Sequence, residues 1–207
     1  MPRPLGVREP LEAMEDEVVY TLSALQSDPR AVALLPMTEG WLELLKDAQK
    51  FDRRTRARVV NAEARRVVAN QNLDDACEAF ATDLLAAVGG DTGAERWRGF
   101  FGASAARFIR QALRKQALAV ANWLVSDDPV LEPHRRALEQ WTRAASTAVE
   151  DTEALAVIRA RNQVRREQLA EDLSRERDAL HAALTDLASE CSLPPAWTGA
   201  FFRRSAQ

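Results

Sequence analysis

Two histidines, His134 and His181, and two cysteines, Cys77 and Cys191, are the chain's whole supply of imidazole and thiol. A carboxylate-bridged di-iron bundle needs Glu-x-x-His on each of two helices plus two further glutamates. Asp178-Ala-Leu-His181 is the one near match, and His134, in Glu132-Pro-His134, has no partner motif. Gly89-Gly-Asp-Thr-Gly93 is rich in glycine but lacks the Gly-Lys-Ser/Thr ending and the preceding strand of a phosphate loop. No Gly-x-Ser-x-Gly elbow is present to raise a serine nucleophile. Cys77 lies on an apolar stripe and reads as a small core residue. These residues predict a protein without catalytic machinery, metal or cofactor.

Two other chemistries are spelled out more fully. Basic residues gather in Lys50-Phe-Asp-Arg-Arg54-Thr-Arg-Ala-Arg58, extended by Arg65-Arg66, and again at Arg107, Arg110, Arg114 and Lys115. Arg54, Arg58 and Arg65 share a helical face, and with Arg110 and Arg114 they could contact phosphates. The competing expectation is a set of separate solvated faces, neutralised by nearby acids such as Asp52 and Glu63. Lys plus Arg total 28 against 31 Asp plus Glu, so the whole chain has no positive surplus to draw nucleic acid. The densest aromatics are Trp97, Phe100 and Phe101, then Trp197, Phe201 and Phe202. They suit either a docking patch or plugs that close the ends of a bundle, and the plug is favoured because it occurs twice.

The elements that must position these groups read as helices. Leu11, Met14, Val18, Leu22 and Leu25 follow three-and-four spacing behind Pro10. Leu73, Cys77, Phe80, Leu84 and Val88 repeat it and stop at Gly89-Gly90, a C-cap signal. Further stripes are Ile109, Leu113, Val120 and Leu124, then Leu138, Trp141, Ala145 and Ala148. The last, Leu169, Leu173, Leu180, Leu184 and Leu187, approaches a coiled-coil seam. Period-two alternation is absent, which predicts an all-α protein. With 207 residues, 46% hydrophobic and 29% charged, the chain can bury one sizeable core or two small ones.

Shifted by one hundred positions, the chain matches itself. Asp28-Pro29 falls on Asp128-Pro129, Trp41 on Trp141, and Arg65-Arg66 on Arg165-Arg166. Leu73 and Leu84 fall on Leu173 and Leu184, and Trp97-Arg-Gly99-Phe-Phe101 falls on Trp197-Thr-Gly199-Ala-Phe201. The expected architecture is a helical bundle of two tandem three-helix repeats, each of about 100 residues, packed around a pseudo-twofold. The first repeat is residues 1–103 and the second 104–207, together one compact domain. In each, helix A (about 9–27 and about 104–127) leads to helix B, whose Trp41 or Trp141 anchors the core. A long helix C follows (about 53–89 and about 151–190).

These features predict a non-enzymatic interaction or scaffold protein that binds a protein partner, or itself, through helix faces. The alternatives are a small-molecule-binding bundle with a pocket between the halves, and a nucleic-acid binder using the basic faces. The segment from Met1 to Pro10 lacks the apolar core of a secretory signal, and the apolar run from Ala117 to Val125 is too short to span a bilayer. The expected compartment is the cytoplasm, with both thiols free and no membrane insertion.

Overall fold

A computed structural model describes residues 2–6 and 9–203. Its regular structure is entirely helical, with no strand among the described residues. The elements are α1 (Leu11–Ser27), a 3-10 helix (Val32–Thr38), α2 (Trp41–Ala87), α3 (Glu95–Phe101), α4 (Ala105–Ile109), α5 (Leu113–Trp123), α6 (Glu132–Glu190) and α7 (Pro195–Gly199).

Two differences from the expected elements have clear local causes. Helices B and C are one continuous helix in each half, giving α2 its 47 residues and α6 its 59. Neither stretch contains an interior Gly or Pro to stop propagation; Pro133 sits in the first turn of α6, where its missing N–H costs nothing. α2 ends at Gly89 and Gly90, both at positive φ, where the Gly90 N–H donates to the Leu85 carbonyl at 2.9 Å. Conversely, the expected helix at about 104–127 is split into α4 and α5. Ser104 caps α4 by accepting from the Arg107 N–H at 3.2 Å, and Ala112 is extended at φ −58°, ψ 134°. The break lets Phe108 and Leu113 enter the same core.

The chain forms two compact units: residues 1–55 with 158–207, and residues 56–157. The expected boundary at 103/104 falls inside the second unit, where α3 and α4 serve one core. α2 and α6 each contribute one segment to each unit.

The first unit's core holds Leu11, Met14, Val18 and Leu25 of α1, Trp41 and Leu45 of α2, Leu173, Leu180 and Leu184 of α6, and Phe201. Its two long-helix segments run antiparallel: Asn162 Nδ2 donates to Asp52 Oδ1 at 2.9 Å, and Arg166 also reaches Asp52. The second unit's core holds Leu73, Phe80 and Leu84 of α2, Trp97, Phe101, Phe108, Val120 and Trp123 from the short helices, and Leu131 and Leu138. Its aromatics interlock, with Phe108 and Trp123 centroids 4.6 Å apart and Phe80 and Phe100 edge-on at 5.0 Å.

Burial recurs at the one-hundred-residue shift. Both members are buried in Ala31/Leu131, Leu45/Ala145, Thr55/Leu155, Ala62/Asn162, Leu73/Leu173, Cys77/Arg177, Phe80/Leu180, Leu84/Leu184 and Phe101/Phe201.

Candidate functional site

The aromatic segments are built into the cores. Trp97 and Phe101 are buried in the second unit with centroids 5.0 Å apart, and Phe100 packs beside them half-buried. In the first unit Phe201 and Phe202 are buried, and Trp197 is half-buried, 4.8 Å from Phe201. Each Asp-Pro pair ties down one of these segments. Asp28 accepts from Trp197 Nε1 at 2.7 Å and from Arg30, whose hydrogen bond holds the carboxyl well below the usual carboxylate range. Asp128 accepts two bonds from Arg96, next to Trp97, and is lowered by them in the same way. Trp97 Nε1 itself is buried without a hydrogen-bond partner.

The two Trp-on-helix positions diverge. Trp41 is 1% exposed, as a core anchor should be. Trp141, expected to be its equal, is half-buried and lines a groove of ≈ 840 Å³ between the α2 and α6 segments of the second unit. The apolar wall is made by Ala64, Val68, Ala69, Trp141, Ala144 and Ala148. Val68 is 58% exposed on this wall. The rim is charged: Arg65 pairs with Asp151 at 3.3 Å and Arg143 with Glu139 at 2.8 Å, while exposed Arg136 forms no ion pair among the described residues.

The first unit carries a smaller hollow of ≈ 400 Å³ in the same register, lined by Leu44, Val164, Arg165, Gln168 and Leu169. Those residues stand one hundred positions from Ala144, Ala64, Arg65, Val68 and Ala69. Small side chains in the second unit leave open what leucines and valine occupy in the first. Sequence inspection missed this groove because it depends on the antiparallel register of α2 against α6. The readable signal was the run of large-to-small differences around Trp141.

Of the basic residues weighed as phosphate contacts, Arg54 and Arg58 stand one turn apart on α2, both exposed and without an ion pair among the described residues. Arg54 is in the first unit; Arg58, Arg65, Arg110 and Arg114 are in the second. Arg65 pairs with Asp151, and Arg114 with Glu153 at 2.6 Å. The neutralising acids therefore come from α6, and Asp52 is engaged by Asn162 and Arg166.

Two buried polar centres were also missed. Arg177, 1% exposed, donates to Glu17 Oε2 at 3.1 Å and to the Arg3 carbonyl at 3.1 Å. Its place on the stripe Leu173, Arg177, Leu180, Leu184 was the available sign, since a charge there must find a buried partner. At the matching place in the second unit, Gln116 donates to Asp74 Oδ1 at 2.6 Å beside Cys77. Burial, reinforced by Asp74, pushes the Cys77 thiol up to about 12. Cys77 therefore stays a thiol at pH 8, and a disulfide reagent will titrate exposed Cys191 quickly and Cys77 only after unfolding. Equal rates for both thiols in the native protein would contradict this packing.

His134 Nε2 lies 2.8 Å from Asp83, and His181 is partly desolvated, which lowers its pKa. No group of three or more His, Cys, Asp or Glu side chains is placed to hold a metal ion among the described residues. No helix among them is long and apolar enough to cross a membrane. The chain matches no known family model, and no curated protein or solved structure is similar to it.

Proposed function

We propose that this chain is a non-catalytic interaction protein whose second unit receives an amphipathic helix of a protein partner in the groove beside Trp141. The observation that carries this reading is Trp141 itself. Trp41, in the same register, is covered, whereas Trp141 borders an open apolar groove with a charged rim. Tryptophan is enriched among the residues that carry binding energy, and an amphipathic helix can lay its apolar face into a hydrophobic groove. The occupant is specified by what the first unit holds: Leu44 and Leu169 stand where Ala144 and Ala69 leave space. A partner helix presenting leucine-sized side chains at successive turns would supply that volume. An acidic residue on its flank would meet Arg136.

The same comparison supports an internal duplication. Each unit is then assembled from one short N-terminal helix, the first part of its own long helix, the last part of the other long helix, and a Trp-x-Gly-x-Phe segment. The expected pseudo-twofold would relate such units, with halves exchanging their second segments in place of two separate three-helix bundles.

Selection of helical peptides on the full chain tests the docking reading. Enriched peptides should carry apolar residues at i, i+3 or i+4, and i+7. Their affinity should fall at least tenfold in A64V/V68Q/A144L, which installs the first unit's own residues and should leave the melting temperature unchanged. A failure to enrich such peptides, or equal binding to the variant, overturns it. A small-molecule ligand is the second reading, favoured by a volume within the usual range for such sites. Saturable binding of a compact apolar probe that no helical peptide displaces would select it.

A further inference from the structure

We infer that the first unit carries a phosphate-tracking surface for nucleic acid, made by Lys50 and Arg54 of α2 with Arg161 and Arg165 of α6. Residues 47–55 and 158–167 hold seven cations, Lys50, Arg53, Arg54, Arg159, Arg161, Arg165 and Arg166, against three acids, Asp47, Asp52 and Glu167. The chain as a whole is at −3, so positive charge is concentrated here at the expense of the remainder. The antiparallel register brings the two sets together. The Arg165 guanidinium lies 5.1 Å from the centroid of the Phe51 ring, while Arg166 reaches Asp52, so the contacts define two sides of the helix pair. Lys50 and Arg54, one turn apart, fall on the Phe51 side at 100° per residue, and Arg161 falls one turn from Arg165 on that same side.

All four are exposed, and none forms an ion pair among the described residues; the neighbouring pairs are Arg166–Asp52 and Arg175–Asp172. Arg166 is a structural cation, half-buried and donating to the Glu9 carbonyl at 3.2 Å. The second unit acts as an internal control. One hundred positions away stand Glu150, Ala154, Asn61 and Arg65, and Arg65 is neutralised by Asp151, the counterpart of Phe51. Packing of the helix pair therefore does not require four free cations on this side.

The partner follows from what the surface mainly presents. Phe51 is half-buried beneath Arg165, and the exposed apolar side chains Leu44 and Val164 lie beside Arg165 at the edge, so charge predominates over apolar area among the four cations. A grid of point charges alone gains most from a polymer of high charge density, where bound counterions are released. Guanidinium groups also bind phosphate oxygens in bidentate fashion. Recognition would be independent of base sequence, because only phosphates are met.

The test is fluorescence anisotropy of the full chain with labelled random-sequence duplex DNA and with single-stranded RNA across a salt series. Four duplex phosphate contacts predict a log–log slope of about −3.6, a loss of roughly a hundredfold between 50 and 200 mM salt. K50E/R54A/R161N, which installs the second unit's residues, should abolish binding at low salt with an unchanged melting temperature. K50Q/R54Q/R161Q should do the same without reversing charge, and R54K/R161K should retain most of the affinity. No binding at low salt, binding untouched by both neutralising variants, or stronger binding to polyglutamate or anionic phosphatidylserine vesicles would overturn the inference. Because these residues lie outside the Trp141 groove, either proposal can fail while the other stands.

Discussion

Trp41→Ala will lower the stability of the first unit by about 3–5 kcal/mol, the usual cost of deleting a fully buried large aromatic. Trp41 is 1% exposed among Leu11, Met14, Leu45 and Leu173, residues from three helices, so its removal leaves a cavity that no single segment can close. Its Nε1 has no hydrogen-bond partner, so the loss is one of packing and apolar burial. The same change at Trp141 should cost less than half as much, since that ring already faces the groove. Denaturant unfolding followed by circular dichroism separates the two. Equal costs at both positions would remove the asymmetry on which the groove reading depends.

Glu17→Ala will cost a similar amount, about 3–5 kcal/mol, by a different route. It strands the Arg177 guanidinium, whose Nη2 donates to Glu17 and whose Nε already lacks a partner. Burial lowers the Arg177 pKa and the Glu17 carboxylate opposes that shift, so deleting the acid removes the main support for the buried charge. Arg3 also approaches Glu17 at 3.8 Å, and Arg177 holds the Arg3 carbonyl, so the N-terminal segment should loosen with the pair. Glu17→Leu combined with Arg177→Met should recover most of the loss, because an apolar pair of similar volume avoids both desolvation costs. A double-mutant cycle with near-zero coupling would contradict this account.

The helical class was legible from three-and-four spacing, and the self-match was legible from Trp41/Trp141, Trp97/Trp197 and the Asp-Pro pairs. Periodicity alone could not say that helices B and C are continuous; the absence of Gly or Pro between Gly40 and Gly89 could. The split at Arg110–Ala112 had no Gly or Pro to mark it, and tertiary packing of Phe108 and Leu113 decides it. The groove and the Lys50/Arg165 surface were hidden for a shared reason. Both depend on which residue of α2 faces which residue of α6, a long-range register that local spacing does not encode. The contacts of Phe51 with Arg165 and of Asp52 with Asn162 set the register that brings Lys50 and Arg54 level with Arg161 and Arg165.

Fluorine NMR of the chain labelled with 5-fluorotryptophan tests whether Trp141 borders a site for a partner helix. The five tryptophans give five signals, with Trp41 and Trp141 assigned from their Phe variants. The Trp141 signal should respond to replacement of water by deuterated water, and the Trp41 signal should not. On titration with a selected helical peptide, the Trp141 signal should move saturably and lose its solvent response, and A64V/V68Q/A144L should abolish the movement. A Trp141 signal already insensitive to solvent, or one that stays fixed while the peptide binds, would contradict the account.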